Sequence, residues 1–169
     1  LVNGSGQLYG ATGVNVGGTL YDVEFIDSTC ILLFDGCDDA SDFSFSSQAA
    51  AVLASQALLD QVFINVGGGL FDDSPELNLN CTNSGLCRAY TPYALQDSGS
   101  TLVGATADNN AIEADDLVTG FVTATPGLDF NAVTLATFAI WETQAVAVPL
   151  PAVAFLYLSA LITLAAIRR

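Results

Sequence analysis

The sequence predicts an α+β fold: a mainly antiparallel β ectodomain with one amphipathic helix over residues 1–144, followed by one C-terminal transmembrane helix within residues 145–169. Three observations support this prediction. Several segments alternate apolar and polar residues between turns rich in Gly, Asn and Asp, as half-buried strands do. One Ala-rich segment has a helical pattern, and the final part of the chain begins with a long run that carries no charge.

The N-terminal strands are predicted from a clear alternation within Thr19–Asp27. Because successive side chains of a strand point to opposite faces, Tyr21, Val23 and Phe25 share one face. We expect these three side chains to pack inward.

A short internal similarity links residues 15–22 with residues 65–72, and both copies begin with Asn-Val-Gly-Gly. The predicted helix lies between the copies and has no counterpart elsewhere. We therefore interpret the similarity as two independent turns rather than as a duplication.

Four cysteines lie in two close pairs, and the sequence contains no histidine that could complete a zinc site. Disulfides formed in an oxidising compartment are the better interpretation. The spacing favours Cys30–Cys37 and Cys81–Cys87, although four cysteines allow two other connectivities. The first loop encloses the apolar run Ile31–Phe34, which we expect to act as a core plug or as a contact surface.

The one soluble helix is predicted from Gln48 to about Phe63, with Ser46 or Ser47 as its N-cap. Val52, Leu59, Val62 and Phe63, with the Ala residues between them, are predicted to make a broad apolar stripe. The glycines at 67–69 are expected to terminate the helix.

The second half of the ectodomain is expected to form a meander of four strands. The predicted strands are Arg88–Leu95, Thr101–Ala107, Leu117–Thr125 and Ala132–Trp141. Because the last strand leads almost directly into the uncharged tail, we expect Trp141 to lie near lipid headgroups.

Charge limits the classes of partner. The chain has 18 acidic and three basic residues, and its net charge is −15. Residues 1–144 contain all 18 acidic residues and one arginine, Arg88. Such a surface repels phosphate backbones, so we expect no nucleic-acid binding. Solubility in saline water, cation binding and a basic partner are the uses that this composition favours.

An acidic cluster surrounds the end of the first cysteine loop and is formed by Asp35, Asp38, Asp39 and Asp42. Hard oxygen ligands at this density are compatible with Ca²⁺, although the spacing is not that of an EF-hand. Calcium is the one cofactor that we consider, and loop composition alone also explains the cluster. Two weaker clusters have the same character: Asp72, Asp73 and Glu76, and Glu113, Asp115 and Asp116.

Catalytic patterns are weak. Asp97-Ser98-Gly99 fits the aspartic-protease motif, but one copy lacks the second carboxylate, and the segment suits a hairpin turn. The sequence has no histidine or lysine to activate a Ser or Cys nucleophile. The composition allows a pair of carboxylates like that of a glycosidase, but no particular pair of acidic residues is indicated. We therefore expect no enzymatic activity.

The C-terminal tail carries no charge from Ala145 to Ile167, a length of roughly 34 Å as a helix, close to the bilayer core. Arg168 and Arg169 follow, which places the C-terminus in the cytoplasm and the acidic domain outside. The chain contains no methionine, so we expect that a secretory signal peptide preceded Leu1. The sequence thus predicts an exported protein anchored in the inner membrane.

The tail resembles the sorting signal of PEP-CTERM proteins of the VPLPA type. The residues that carry this resemblance are Val148, Pro149, Leu150, Pro151, Ala152, Arg168 and Arg169. Thr19–Phe25 and the Cys30–Cys37 loop also look like small members of this family. The resemblance implies recognition by an exosortase, a membrane enzyme similar to Cys transpeptidases, and export in a Gram-negative bacterium.

Two functions follow as hypotheses. The first is a non-enzymatic, membrane-anchored structural protein of the periplasm or cell surface, of the exopolysaccharide- or surface-associated type that the resemblance implies. The second is a single-pass accessory subunit of an integral membrane protein complex, with its ectodomain on the periplasmic side. Both include the lipid bilayer and other membrane proteins as partners.

Overall fold

The computed structural model describes residues 1–145, which form an α+β domain around one six-stranded sheet. The strands are β1 (Gly10–Val16), β2 (Thr19–Ile26), β3 (Asn65–Val66), β4 (Gly69–Leu70), β5 (Leu86–Gln96), β6 (Thr101–Asn110), β7 (Leu117–Ala124) and β8 (Ala136–Thr143). The α-helices are α1 (Cys30–Leu33) and α2 (Gln48–Gln61). The predicted class, mostly antiparallel β with one long helix, is confirmed.

The order of the strands differs from the predicted meander. The sheet runs β1-β2-β8-β5-β6-β7, so β5, β6 and β7 are consecutive neighbours, whereas β8 lies between β2 and β5. β8 pairs antiparallel with β2 and parallel with β5. The last strand therefore joins the N-terminal hairpin to the rest of the sheet, a role that its local sequence does not specify.

The long helix begins where the sequence predicts. The Ser47 hydroxyl accepts a hydrogen bond from the backbone N–H of Ala50 and caps α2. The predicted stripe is largely buried: Val62 and Phe63, which directly follow α2, belong to the core, and the alanines lie against the sheet. Val52 and Leu59 are half-buried at its flank, and Leu58 is buried as well. Small side chains on the buried face allow the helix to approach the sheet closely.

The glycines at 67–69 do not terminate α2, which ends six residues earlier at Gln61. They form the turn of the β3–β4 hairpin, where Asn65 pairs with Leu70 and Val66 with Gly69. The β1–β2 turn has the same register, because Asn15 pairs with Leu20 and Val16 with Thr19. The two Asn-Val-Gly-Gly segments therefore share a pairing register but differ in backbone conformation, because Gly17 and Gly18 have positive φ and Gly67 and Gly68 do not.

The sheet is covered on both faces. On the first, which we call the helix face, α2 packs against a core that includes Val23, Phe25, Val103 and Ala105. The inward packing predicted for β2 is confirmed there, since Val23 and Phe25 are buried and Tyr21 is partly buried against this core.

The opposite face, which we call the disulfide face, is covered by the Cys30–Cys37 loop. Phe34 from that loop contacts Phe43 and Phe138 edge to face, and Phe130 stacks on Phe138 with ring centroids 4.2 Å apart. The apolar run of the loop is divided: Phe34 is buried as a core plug, while Leu32 is 77% exposed. A role as a contact surface stays a prediction.

Trp141 belongs to the hydrophobic core of the domain. Its side chain is 4% exposed on the helix face, where the rings of Tyr21 and Phe45 approach it edge to face. The indole N–H donates a hydrogen bond of 3.2 Å to the Thr91 hydroxyl. The expectation that this residue contacts headgroups is therefore wrong, because β8 is an internal strand of the sheet and its inward residues form core.

The predicted tail lies outside the described residues. This applies to the transmembrane helix and to the sorting motif of Val148, Pro149, Leu150, Pro151, Ala152, Arg168 and Arg169. Among residues 1–145, no helix has the length and apolar character needed to span a bilayer. The last described strand ends at Thr143.

Candidate functional site

The two predicted disulfides, Cys30–Cys37 and Cys81–Cys87, are both present. All four cysteines are buried, and the described residues contain no free cysteine. Disulfides persist in oxidising compartments, which indicates an extracellular or periplasmic location. The first bridge closes the loop that covers the disulfide face, and the second ties the segment before β5 to its second residue.

The aspartates of the first cysteine loop serve local structure. The Asp39 carboxylate accepts a hydrogen bond from the backbone N–H of Ser41, and the Asp42 carboxylate accepts from the N–H groups of Asp38 and Asp39. Asp35 adopts a left-handed backbone conformation at the turn. Across residues 1–145, no three His, Cys, Asp or Glu side chains converge as a metal site would require, so this geometry lends the calcium hypothesis no support.

The segment Asp97-Ser98-Gly99 forms the turn between β5 and β6, as the alternative interpretation predicted. All three residues have positive φ, and the Asp97 carboxylate accepts a hydrogen bond of 2.8 Å from the Thr101 hydroxyl. The protease-like motif is thus a hairpin turn in this fold.

The two weaker acidic clusters meet across one cleft. Asp72 belongs to the first cluster, and Glu113 and Asp116 belong to the second, about forty residues later in the chain. Together with Asp60 of α2, they line a cavity of about 910 Å³ between the C-terminal half of the helix and the start of β7. We call this cavity the acidic cleft. Three of its four carboxylates belong to the acidic clusters predicted from the sequence, but their proximity was not predicted.

Asp72 is positioned by the residue before it. Phe71 is buried, and its backbone carbonyl accepts hydrogen bonds from the side-chain amides of Asn78 and Asn109, which are themselves fully buried. The Asn65 side chain accepts a hydrogen bond from the backbone N–H of Asp72. These contacts hold the β3–β4 hairpin against the sheet and fix Asp72 in the cleft wall.

The opposite wall is held by Asn110 at the end of β6. Its backbone N–H donates a hydrogen bond of 2.6 Å to the Asp116 carboxylate, and its side-chain amide donates to the carbonyl of Asp115. The short turn from Glu113 to Asp115 is thereby folded back toward β7. From the sequence, Glu113, Asp115 and Asp116 were predicted only as an acidic cluster, and this fold of the turn was not predicted.

The carboxylates of the cleft repel one another. Burial, followed by the charges of Glu113 and Asp73, raises the pKa of Asp72 above its ordinary value. Burial also raises the pKa of Asp116, against the hydrogen bond from Asn110, and the charges of neighbouring carboxylates raise it further. Asp72 is 8% exposed, and no group among the described residues donates a hydrogen bond to its carboxylate.

No basic side chain of the domain compensates this charge. Arg88 is the single lysine, arginine or histidine in residues 1–145. Its guanidinium donates two hydrogen bonds of 2.7 Å to Asp108, the residue opposite it on β6. The acidic cleft therefore presents carboxylates that lack a counter-ion from the described part of the chain.

Apolar side chains form much of the remaining cleft, together with Gln56 and Asn65. Val52, Leu59 and Phe63 line it from α2 and the residues that follow the helix, and Leu117 and Val118 line it from β7. The cleft can thus surround a cation whose charge is attached to an aliphatic stem, with the charge near the carboxylates and the stem against the apolar wall.

β7 is an edge strand that the fold leaves open. It contains no charged residue, and Leu117 and Phe121 are 57% and 53% exposed. The other edge, β1, is partly closed, because the Gln61 side chain accepts from the N–H of Asn15 and donates to its carbonyl. Within residues 1–145, the hydrogen bonds that reach β7 from outside its strand ladder come from the hydroxyls of Tyr90 and Tyr93.

Comparison with known proteins gives no relative: the chain matches no protein-family model, no curated protein and no solved structure.

Proposed function

We propose that the chain is a non-enzymatic structural protein of the bacterial envelope. It is exported, anchored in the inner membrane by a helix within residues 145–169, and exposes residues 1–144 to the periplasm or cell surface. The observation that carries this proposal is the pair of buried disulfides, Cys30–Cys37 and Cys81–Cys87, in a domain that leads into an uncharged tail ending in two arginines. Its association with exopolysaccharide or surface structures, and its recognition by an exosortase, rest on the resemblance of that tail.

The non-enzymatic character is supported by the residues available. The sequence has no histidine and no lysine, and the described cysteines are paired, so a Ser or Cys nucleophile lacks a base. A carboxylate pair of the glycosidase type is the arrangement that composition leaves open, and the acidic cleft is where it would lie. Turnover of a polysaccharide by the purified chain, lost on Asp72→Asn, would contradict this part of the proposal.

The sheet register relates the cleft to the proposed anchor. Ala136 of β8 pairs with Arg88, Arg88 with Asp108, and Asp108 with Leu117 at the cleft. The chain leaves the sheet at the other end of β8, after Thr143, roughly 23 Å away at the rise of a strand. An anchor that follows this strand leaves the cleft facing away from the bilayer.

The proposal is tested by expressing the chain behind a secretory signal peptide in a Gram-negative host. We expect the full chain to stay in membranes washed with alkaline carbonate, and residues 1–144 to be digested by protease added to spheroplasts. A version that stops after Ala145 should appear in the soluble periplasmic fraction. Recovery of the full chain in the soluble fraction, or thiols that react with a maleimide before reduction, would contradict the proposal.

An alternative function is favoured by the open edge strand. β7 has an unpaired backbone edge and exposed apolar side chains, a surface that suits an accessory subunit of an integral membrane complex. Native gel electrophoresis of detergent-solubilised membranes, followed by mass spectrometry, separates the two functions. Comigration with a stable complex supports the subunit, and release of a form without its tail into the medium supports the sorted surface protein.

A further inference from the structure

The open edge strand and the acidic cleft are one continuous surface. Leu117 and Val118 are the first residues of β7, and both also line the cleft. A strand added to the free edge of β7 therefore passes the mouth of the cleft. Its side chains on the helix face would lie beside the outer flank of α2, where the cleft opens.

The cleft has the chemistry of a site for a cation. Asp60, Asp72, Glu113 and Asp116 line it, and Asp72 is more than nine-tenths buried without a hydrogen bond to its carboxylate from the described residues. A buried carboxylate is stable when an opposite charge pairs with it. Because Arg88 is already bound by Asp108, no basic side chain of the described residues is free to serve as the counter-ion.

The shape of the cleft favours an organic cation over a metal ion. Its carboxylates are spread along the cavity, and no three of the described acidic residues converge on a point where a metal could sit. The apolar wall of Val52, Leu59 and Phe63 contributes nothing to a hydrated ion. It does fit the methylene stem of a lysine or an arginine, whose charged end then reaches the carboxylates.

The edge of β7 favours an extended polypeptide as the source of that cation. Strand addition satisfies the unpaired backbone groups of an exposed edge, and side chains that alternate between the two faces supply specificity. Natural edge strands are usually protected by charge, proline, a bulge or a covering segment. β7 has no charged residue or proline, and its one irregularity is a shift of register against β6 between Thr119 and Val122.

A second copy of the chain is a poor occupant of the same edge. Each copy carries a net charge of −15, so self-association brings two strongly acidic domains together. Neither copy has a free basic side chain within its described residues to place in the cleft of the other. The negative charge of the cleft therefore favours a different protein, one with basic side chains, as the partner.

We propose that β7 and the acidic cleft form a docking site for an extended basic segment of a partner protein. The segment adds a strand to β7 and places a lysine or arginine side chain between Asp72 and Asp116. This inference rests on the proposed function as an exported structural protein of the envelope. It adds the chemical character of a partner that the protein would bind.

The first test measures affinity for a defined peptide. The probe is a fluorescein-labelled heptapeptide of alternating lysine and threonine or valine, titrated by fluorescence anisotropy against the full chain in a non-ionic detergent. Asp72→Asn with Asp116→Asn should weaken binding at least tenfold, because both cleft charges are lost while the shapes are kept. Asp35→Asn with Asp38→Asn removes the same charge far from the cleft and should change the affinity less than twofold. Equal weakening by both double variants, or no binding by the unaltered chain, overturns the proposal.

Folding of the variants is checked separately by thermal unfolding. Asparagine at position 116 still accepts the hydrogen bond from Asn110, and asparagine at position 72 removes a buried charge that has no partner. Both changes should therefore leave the melting temperature unchanged or raise it. A loss of affinity in a variant that melts normally is assigned to the cleft.

The second test addresses strand pairing. Two N-methylated peptides, with alternate amides blocked in one register or the other, keep the charges but remove one set of backbone donors. One of them should lose binding at least tenfold, and the unmethylated peptide should slow amide hydrogen exchange within Leu117–Ala124. Full binding by both methylated peptides, equal affinity for spermidine, or concentration-dependent dimers without peptide overturns the proposal. Failure here leaves the membrane-fractionation result intact, so the two proposals fail independently.

Discussion

Asp27, at the end of β2, carries a carboxyl group that the fold partly removes from water. Burial raises its pKa to about 7, the nearby polar side chains of Thr137 and Asn80 oppose this rise, and the charge of Asp129 adds to it. Its Oδ1 atom is buried without a hydrogen-bond partner in the described structure. Because the folded pKa exceeds the ordinary value of 3.8, the native state binds this proton more tightly than the unfolded state.

The predicted consequence is a loss of stability as the pH rises. The contribution of Asp27 is fully present below about pH 4 and disappears as the pH passes through about 7. Asp27→Asn should raise the free energy of unfolding at pH 8 by about 1–2 kcal/mol, a value reduced for the partial solvation of the group. Urea unfolding at pH 4 should show no gain. A variant equally stabilised at both pH values would refute this account, and Asp35→Asn is the exposed control.

At the scale of the elements, β7 depends on a tyrosine that reaches across its neighbour. Tyr90 of β5 lies over Gly104 of β6, and its hydroxyl donates a hydrogen bond of 2.9 Å to the carbonyl of Val122 in β7. Burial raises the pKa of Tyr90, which keeps this hydroxyl protonated as a donor. The edge strand that borders the acidic cleft is thus tied to an internal strand two positions away.

Gly104→Ala should break this arrangement. A Cβ atom at position 104 would lie 2.5 Å from the Tyr90 ring and 2.8 Å from the Thr91 carbonyl, so the ring and the backbone must both shift. We expect a loss of about 2–3 kcal/mol in the free energy of unfolding and faster hydrogen exchange in β7. Gly127→Ala, where a Cβ meets nothing within 4 Å, is the control. An unchanged exchange rate in β7 would show that the tyrosine contact does not hold the strand.

At the scale of the whole molecule, uncompensated charge is the main electrostatic feature. The described residues contain one salt bridge, between Arg88 and Asp108, and all 18 acidic residues of the chain. Self-repulsion opposes the compact state, while the buried core and the two disulfides support it. The domain is therefore suited to a saline medium, in which mobile ions screen the repulsion.

Stability should accordingly rise with salt. Between 10 mM and 0.5 M NaCl we expect the free energy of unfolding to increase by on the order of 1–2 kcal/mol, because the Debye length shrinks below the spacing of surface charges. Thermal unfolding in NaCl and in CaCl₂ at equal ionic strength separates screening from specific binding. Equal melting temperatures in the two salts indicate screening alone. A clearly higher melting temperature in CaCl₂ would support a specific calcium site.

Local patterns predicted the elements well where the chemistry is local. The Ser47 cap, the alternation of β2, the Asp97–Gly99 turn and the two cysteine pairs all depend on residues within a few positions of one another. The apolar stripe of α2 was predicted in part. Val62 and Phe63 are buried and the alanines between the larger residues lie against the sheet, whereas Val52 and Leu59 are half-buried. The fully buried Leu58 was not part of the prediction.

By itself, the sequence determined the β-rich class and the strong acidity of the chain, and it favoured the two cysteine pairs that the structure contains, since these follow from composition and short-range spacing. The tertiary structure alone decided that β8 separates the N-terminal hairpin from β5, that Trp141 is core, and that Asp72 meets Glu113 and Asp116. These outcomes come from contacts between segments tens of residues apart. Such contacts are set by how the layers pack together, and no local pattern encodes them.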